Sequence, residues 1–418
     1  MKAHAIIDAK LSRKEQECLL NHSVDNVDQC FAEERGARAN LGALGIIYSL
    51  PVPTKHKKTR QRVLSDPNKA IPKIKTKVLR IGSKLSGNNS WREALPWDIG
   101  PQRYLPNFYT YYAFLNESEK LLYRKGNIVY LHVPKSGGTT MAKCFKSMTK
   151  KLKRYSHFYG PIGENGINAV MEQLKTQNDT KLQIFSGEYA FYLCDLLGGK
   201  PCSYFLMLRE PYDRLVSSYS FCKRHSDDGN NFYCSLNANN LTITEWALIQ
   251  KSFFFRQLIM NEGMCQGHYD DEIDLNALMN IHKGVIKDKL PCWMKVQAIL
   301  DSKLSKKEQE GLLKFIVDSI EQWFAGVGVL EKMPETLEAL NIIYGLPVYP
   351  TCSKIHANKA PSKSKKEDEK VKERLMRELK SDPRVREALL PDLHLYKRVE
   401  QIVKSQSAAR KHVLTGGN

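Results

Sequence analysis

A single lysine stands among small and hydroxyl-bearing residues in the stretch PKSGGTT, residues 134–140. An apolar run precedes this stretch and apolar residues return at helical spacing after it, which predicts a buried strand, a loop and a helix. Such a junction offers backbone N–H groups and the positive end of a helix to an anion. Glycine lets the backbone approach an anion closely, lysine adds charge and hydroxyls add donors. The loop residues that could contact the anion are Lys135, Ser136, Gly137, Gly138, Thr139 and Thr140. An ordinary strand-to-helix turn is the alternative.

A second group of residues with phosphate chemistry follows about seventy positions later. Arg209 comes after an apolar run that predicts a strand, and Ser217 lies eight residues on, two turns into a predicted helix. An arginine fork and a hydroxyl together suit a phosphate monoester. The alternative is a structural salt bridge from Arg209 or Arg214 to Glu210 or Asp213, and for Arg214 this is the preferred interpretation.

The elements that must position these residues follow an alternating pattern. Short apolar segments that predict strands begin at residues 128, 182, 204 and 327, and a helical face runs over residues 308–324. Short, continuously apolar strands are typical of parallel sheets that are buried on both faces. The pattern therefore predicts an α/β fold with a central parallel sheet flanked by helices.

Part of the sequence is repeated. AIIDAKLSRKEQECLL at 5–20 matches AILDSKLSKKEQEGLL at 298–313, as tandem units would. We expect the tail of a preceding related unit and a basic linker in 1–104, the complete domain in 105–350, and a basic linker and C-terminal helix in 351–418. Both a biological truncation and an incomplete gene prediction remain open as reasons for the missing front of the first unit.

The formal charge of +19 over 418 residues favours an anionic partner, such as nucleic acid, a membrane surface, a phosphorylated cofactor or a polyanionic glycan. No apolar run reaches the length of a membrane span, and the amino terminus lacks the apolar core of a secretory signal.

The ten cysteines show no metal-ligand spacing, so we expect no metal. Cys222 and Cys234 are either a short disulfide of a lumenal protein or two free thiols. Five glycosylation sequons add weak support for a lumenal address, and they begin at Asn21, Asn88, Asn116, Asn178 and Asn240.

Taken together, HVPKSGGTT and LREPYDRLVSSY resemble the two cofactor motifs of the sulfotransferase superfamily. The combination is most similar to Golgi carbohydrate sulfotransferases, particularly the heparan sulfate 2-O and 6-O groups. The resemblance covers roughly residues 125–350 and implies a P-loop-like sulfotransferase fold. It also implies 3′-phosphoadenosine 5′-phosphosulfate as co-substrate. The six loop residues named above would then surround the 5′-phosphosulfate, and Arg209 and Ser217 would hold the 3′-phosphate.

Sulfuryl transfer needs in-line positioning, stabilisation of charge on the departing phosphate oxygen, and a base for the acceptor proton. Lys135 suits the second task. Many related carbohydrate sulfotransferases have a Gly-His pair after the strand that precedes the 3′-phosphate motif, whereas this sequence has Glu188 there. We predict Glu188 as the base, with a surface or salt-bridged acid as the alternative interpretation. His157 and His225 are the next candidates for the base, and His132 is expected to pack against or position the loop.

The charge and basic linkers suit an anionic glycan acceptor, whose cleft Lys223, Arg224 and His225 could line. No nucleic-acid motif accompanies the charge. The resemblance implies a Golgi lumenal protein, with membrane anchoring only if a missing N-terminal segment supplies it. Two other classes of protein share part of this pattern, namely a glycan-binding pseudoenzyme and a nucleotide phosphotransferase. The absent G-x-x-x-x-G-K-[ST] pattern and the Arg209/Ser217 motif argue against the phosphotransferase. The sequence therefore favours a carbohydrate sulfotransferase.

Overall fold

Five parallel strands form the central sheet in the computed structural model of this protein. The strands are β1 (Asn127–Leu131), β2 (Tyr155–Ile162), β3 (Leu182–Gly187), β4 (Cys202–Leu208) and β5 (Phe324–Val329). Their order across the sheet is β2-β3-β1-β4-β5. The structure describes residues 90–152, 155–162, 166–176, 181–197, 200–225, 234, 238–274, 291–346, 352 and 365–414. The predicted tail of a preceding unit, with the first copy of the repeat, lies outside the described residues.

The centre of the sheet is buried on both faces. Ile128 of β1 lies opposite Ile184 of β3 on one side and Ser203 of β4 on the other. Every residue of β1, β4 and β5 is buried, which requires cover above and below the sheet. Burial on both faces explains why the sequences of these strands are almost continuously apolar. The predicted α/β fold with a parallel sheet flanked by helices is confirmed.

Helices connect and cover the strands. Among the described residues, the α-helices before β5 are α1 (Trp91–Ala94), α2 (Phe108–Tyr111), α3 (Glu117–Arg124), α4 (Gly138–Lys151), α5 (Gly166–Thr176), α6 (Leu193–Leu196), α7 (Pro211–Arg224), α8 (Ile243–Gln250), α9 (Phe253–Ile259), α10 (Glu262–Cys265), α11 (Cys292–Lys303) and α12 (Lys306–Trp323). Those after it are α13 (Met333–Tyr344), α14 (Lys365–Ser381) and α15 (Pro383–Leu414). Short 3-10 helices span Tyr112–Phe114, Ala238–Asn240, Asp270–Glu272 and Leu330–Lys332.

The four predicted strands are present, and β2 is the strand that the sequence did not predict. It lies at the edge of the sheet, pairs with β3 alone and contains Gly160 and Pro161, so its sequence lacks the apolar run of a central strand. The predicted helix over 308–324 is α12. It begins earlier because Ser305 and Glu308 form a capping box, and it ends at Trp323 because Phe324 pairs with β4.

The segment before α2 packs against the domain, unlike the predicted linker that extends to residue 104. Trp91 and Trp97 are buried in the main hydrophobic cluster. The Trp97 indole N–H donates to the carbonyl of Ile259 at 3.0 Å. The backbone N–H groups of Gln102 and Arg103 both donate to the Asp195 carboxylate. Charged residues around two tryptophans gave this segment the composition of a linker, although the tryptophans place it in the folded unit.

The C-terminal segment also differs from the predicted linker over 351–380, because α14 begins at Lys365. Glutamate, lysine, arginine and leucine favour a helix, and buried Leu375 and Leu379 provide one apolar stripe. The following α15 inserts a fully buried carboxylate, Asp392, whose oxygens accept from the N–H groups of Phe254 and Phe255 at 3.1 and 3.0 Å. Both C-terminal helices are therefore part of the folded unit.

Three disulfides link described cysteines, namely Cys194–Cys202, Cys222–Cys234 and Cys265–Cys292. The disulfide interpretation of Cys222 and Cys234 is thus the one that the structure adopts. Cys144 and Cys352 are buried free thiols. Within the described ranges, none of the helices combines the length and the apolar character that a membrane crossing requires.

Candidate anion-binding site

The two predicted motifs meet at the carboxyl-terminal ends of the central strands. From β1 the chain continues to β2, which lies toward one end of the strand order, whereas β4 continues to β5 at the other end. The direction of the connections therefore reverses between the neighbouring strands β1 and β4. Ligands of open α/β sheets bind at the carboxyl ends of the strands at such a point. The loop with Lys135 follows β1 and Arg209 follows β4. The Arg209 Nη1 group donates to the backbone carbonyl of Lys135 at 3.2 Å, which joins the motifs directly.

Two residues of the loop adopt left-handed backbone conformations. Lys135 has a φ of 66° and Gly137 a φ of 81°, and strain of this kind in a non-glycine residue such as Lys135 is concentrated at functional sites. A Cβ at Gly137 would lie 2.8 Å from Leu330 Cδ1, and one at Gly138 would lie 1.7 Å from His132 Cδ2. Close packing beneath the loop therefore requires glycine at 138, whereas the left-handed backbone favours glycine at 137. Helix α4 starts directly at Gly138.

The hydroxyl groups of the loop fit an anion. Ser136 is fully buried at the amino end of α4, and its Oγ has no hydrogen-bond partner among the described residues. A buried hydroxyl without a partner at a functional loop calls for an explanation, and an oxyanion at the helix terminus would supply one. Thr139 and Thr140 lie in the first turn of α4, half-buried and buried respectively. All three residues thus lie in the loop or the first helical turn, as the predicted loop-to-helix junction required, and their contact with an anion stays a prediction.

The Lys135 ammonium is held against an aromatic ring. Its Nζ lies 3.9 Å from the ring centroid of Phe221 on α7. Burial, with the guanidinium groups of Arg224 and Arg209 nearby, lowers the pKa of Lys135 to about 8. A bound anion would relieve this unfavourable environment. Phe221 was missed by the sequence reasoning, although its place four residues after Ser217 on the same helix face was a usable signal.

His132 supports the loop as an uncharged side chain. Its ring packs where a side chain at Gly138 would otherwise project. Burial, and the charge of Lys135, lower the pKa of His132 to about 4, so the ring is neutral near pH 7. This agrees with the predicted packing or positioning role.

The acidic residues after Arg209 have structural roles. Glu210 caps α7 by accepting from the Asp213 N–H at 2.8 Å, and Asp213 pairs with Lys372 of α14 at 2.7 Å. Arg214 is fully buried 5.2 Å from the ring of Phe253, and its charge lowers the pKa of Asp392 against a larger upward effect of burial. Arg214 therefore lies in the core near Phe253 and Asp392, and its salt bridge to Glu210 or Asp213 stays a prediction.

A cavity of about 600 Å³ adjoins Arg209 and Ser217. It lies between α7 and α14, and its lining includes five basic and three acidic side chains, an excess of positive charge that suits an anion. The residues that matter most for charge and hydrogen bonding are Arg209, Ser217, Lys223, Arg224, Lys372 and Arg374. The structure thus brings the two predicted 3′-phosphate residues to one cavity, and α14 forms a wall that the sequence did not predict.

The candidate bases occupy different surroundings. Glu188 follows β3 and lines a shallow pocket with Tyr189, Gln257 and Asn261. The His225 Nδ1 donates to the carbonyl of Phe221 at 2.8 Å, because a carbonyl can only accept, and this leaves Nε2 as the basic nitrogen. The His225 ring also stacks on Phe221 at 4.3 Å, next to Lys135. His157 lies in β2, and its side chain is outside those described.

The family model for the Sulfotransferase family matches residues 121–271. That segment contains β1 to β4, the Lys135 loop and the Arg209/Ser217 motif. The match supports the resemblance to the sulfotransferase superfamily that the motifs indicated. No curated protein gave a match to the chain. Within the described part of the chain, no group of three or more His, Cys, Asp or Glu side chains is arranged to hold a metal ion.

Proposed function

We propose that this protein is a carbohydrate sulfotransferase that uses 3′-phosphoadenosine 5′-phosphosulfate. The observation that carries the proposal is the Arg209–Lys135 hydrogen bond, which joins the two anion-binding segments into one site. A donor with phosphate groups at its 5′ and 3′ positions would engage both segments at once. The family match supports sulfuryl transfer as the reaction class.

The residues available for the donor divide between its two anionic ends. The 5′-phosphosulfate would lie on the amino end of α4, with Lys135, Ser136 and the N–H groups that follow Gly137. The 3′-phosphate would bind Arg209 and Ser217 in the cavity between α7 and α14. Buried Ser136 Oγ, which has no hydrogen-bond partner among the described residues, fits a phosphate oxygen as its acceptor.

In the proposed reaction the acceptor hydroxyl oxygen attacks sulfur while the bond from sulfur to the 5′-phosphate oxygen breaks. The electron pair of that bond stays on the phosphate oxygen, where the charge of Lys135 stabilises it. The acceptor proton passes to a base. We propose the Glu188 carboxylate for this step, and His225 is the second candidate because its Nε2 is basic and its ring lies beside the Phe221–Lys135 contact.

We propose an anionic glycan as acceptor, specifically a glycosaminoglycan related to heparan sulfate. The formal charge of +19 and the position of Lys223 and Arg224 beside the cavity support this choice. The three disulfides support a lumenal, oxidising compartment, because such bonds persist there, and we propose the Golgi lumen.

A glycan-binding pseudoenzyme is the second candidate, favoured by one observation: glutamate stands at the position where many carbohydrate sulfotransferases have histidine. This reading predicts binding of the nucleotide or the glycan without turnover. The site itself would remain intact, so binding measurements alone would not separate the two functions.

The test is transfer of labelled sulfate from the phosphosulfate donor to a panel of desulfated glycosaminoglycans by the full chain. Lys135→Ala should lower turnover by about 1,000-fold. Lys146→Ala, which changes an exposed lysine on α4, should leave turnover unchanged. A folded wild-type protein that binds the nucleotide but transfers no sulfate would favour the pseudoenzyme. A folded protein that binds no nucleotide would refute the donor assignment.

A further inference from the structure

A buried glutamine connects the Lys135 loop to the segment that holds Glu188. Gln257 lies on α9 and is only 1% exposed. Its side-chain NH₂ group donates to the backbone carbonyl of His132 at 3.0 Å and to that of Glu188 at 2.8 Å. His132 enters the loop directly after β1, and Glu188 follows β3 directly. One amide therefore spans the carboxyl ends of two neighbouring strands.

The helix that carries Gln257 is fixed at both ends. Asp392 of α15 accepts hydrogen bonds from the N–H groups of Phe254 and Phe255 at its start. At its end, the Tyr192 hydroxyl donates to the carbonyl of Leu258 at 3.1 Å, and the Trp97 indole donates to that of Ile259 at 3.0 Å. All seven residues of α9 are buried. A side chain on such a helix can hold other groups in place because it has little freedom of its own.

We propose that Gln257 is a positioning residue that sets the separation between the Lys135 loop and Glu188. The inference rests on the proposed function, in which Lys135 stabilises the leaving group and Glu188 accepts the acceptor proton. Both groups must be correctly placed at the same moment, and a displacement of about 1 Å can lower a catalytic rate by about 100-fold. The Oε1 atom of Gln257 makes no hydrogen bond among the described residues. The two bonds that its NH₂ group donates therefore carry the positioning.

Gln257→Met keeps the length of the side chain and removes both donated bonds. We expect kcat to fall by about 10- to 100-fold while the affinity for the nucleotide product changes little. The matched control is Gln250→Met, which changes another fully buried glutamine on the neighbouring helix α8. The side chain of Gln250 makes no hydrogen bond among the described residues, so its replacement removes no link to the site.

Gln257→Glu supplies a second readout that a purely structural role would not move. A protonated carboxyl group can still donate one hydrogen bond, whereas a carboxylate would face two carbonyl oxygens without a proton to share. The kcat of this variant, divided by that of the wild type, should therefore fall as the pH rises. This measurement also applies if Gln257→Met is too unstable to assay.

Deuterium uptake separates the inference from the proposed function, because it needs no turnover. In Gln257→Met, peptides covering residues 127–145 and 182–197 should exchange faster than in Gln250→Met. If the wild type transfers no sulfate but this difference is seen, the proposed function fails and the positioning link stands. Unchanged kcat and unchanged exchange in Gln257→Met would overturn the inference. A ratio for Gln257→Glu that is constant with pH would overturn it as well.

Discussion

The Lys135 loop and the pocket beside Glu188 lie at the same edge of the sheet, but they are built in different ways. The loop depends on local sequence: two glycines, a strained lysine and the start of α4 lie within a few residues. The surroundings of Glu188 depend on distant parts of the chain, since Gln257 and Asn261 come from after α8. The difference shows why donor binding can be anticipated from a motif, whereas acceptor chemistry depends on tertiary assembly.

The largest effect on kcat is expected for Lys135 in the loop. Lys135→Ala should lower kcat by about 1,000-fold, because it removes the charge that stabilises the departing phosphate oxygen. Sulfate transfer at saturating donor measures this. Lys146→Ala on the exposed side of α4 is the control, and a loss of only a few fold in the Lys135 variant would mean that another group stabilises the leaving oxygen.

The second-largest effect is expected for the Glu188 carboxylate. Glu188→Gln keeps the size of the side chain and removes its basicity, so we expect kcat to fall by about 100-fold. His225→Asn should leave kcat nearly unchanged. If the larger loss is instead seen in the His225 variant, the base lies beside Phe221 on α7 and Glu188 does not accept the proton.

The pH dependence should reflect the lowered pKa of Lys135. The protonated amine is the active form, so activity is present below a pH of about 8 and is lost as the pH rises through this value. In kcat/KM for the donor, we expect a decline of about tenfold per pH unit above that point. Lys135→Arg should move the decline to higher pH, because a guanidinium stays protonated there. A decline at the same pH in that variant would assign it to another group.

A smaller effect is expected for the unsatisfied hydroxyl of the loop. Ser136→Ala should weaken binding of the nucleotide product by about 5- to 10-fold through loss of one hydrogen bond. The melting temperature should stay the same or rise, because the serine Oγ is buried without a hydrogen-bond partner among the described residues. Calorimetry and thermal unfolding measure the two quantities. A lower melting temperature would indicate a structural role for this hydroxyl instead.

The smallest effect concerns the wall of the cavity. Lys372 and Asp213 form an ion pair that is partly exposed, with side-chain exposures of 46% and 24%. Lys372→Ala should change the free energy of unfolding by less than about 1 kcal/mol. Urea unfolding measures this, and a larger loss would show that α14 depends on this single contact for its docking.

The local features of the fold and site were predictable, and the long-range ones were not. The strands at 128, 182, 204 and 327 and the loop residues 135–140 follow from short-range pattern. The edge strand β2 lacks that pattern because it is paired on one side and contains Pro161. Gln257 and the α14 wall could not be found, because their partners lie far away in sequence. The charged composition of α14 also concealed its apolar stripe.

Calorimetric titration shows directly whether the Lys135 and Arg209 segments form one nucleotide site. The full chain is titrated with 3′-phosphoadenosine 5′-phosphate and, separately, with adenosine 5′-phosphate. If the Lys135 and Arg209 segments form one site, the wild type binds one nucleotide and prefers the doubly phosphorylated form. Arg209→Ala would then remove most of that preference while retaining the affinity for adenosine 5′-phosphate. Equal affinity of the wild type for both nucleotides, or no binding by a folded protein, would contradict a single site formed by the two segments.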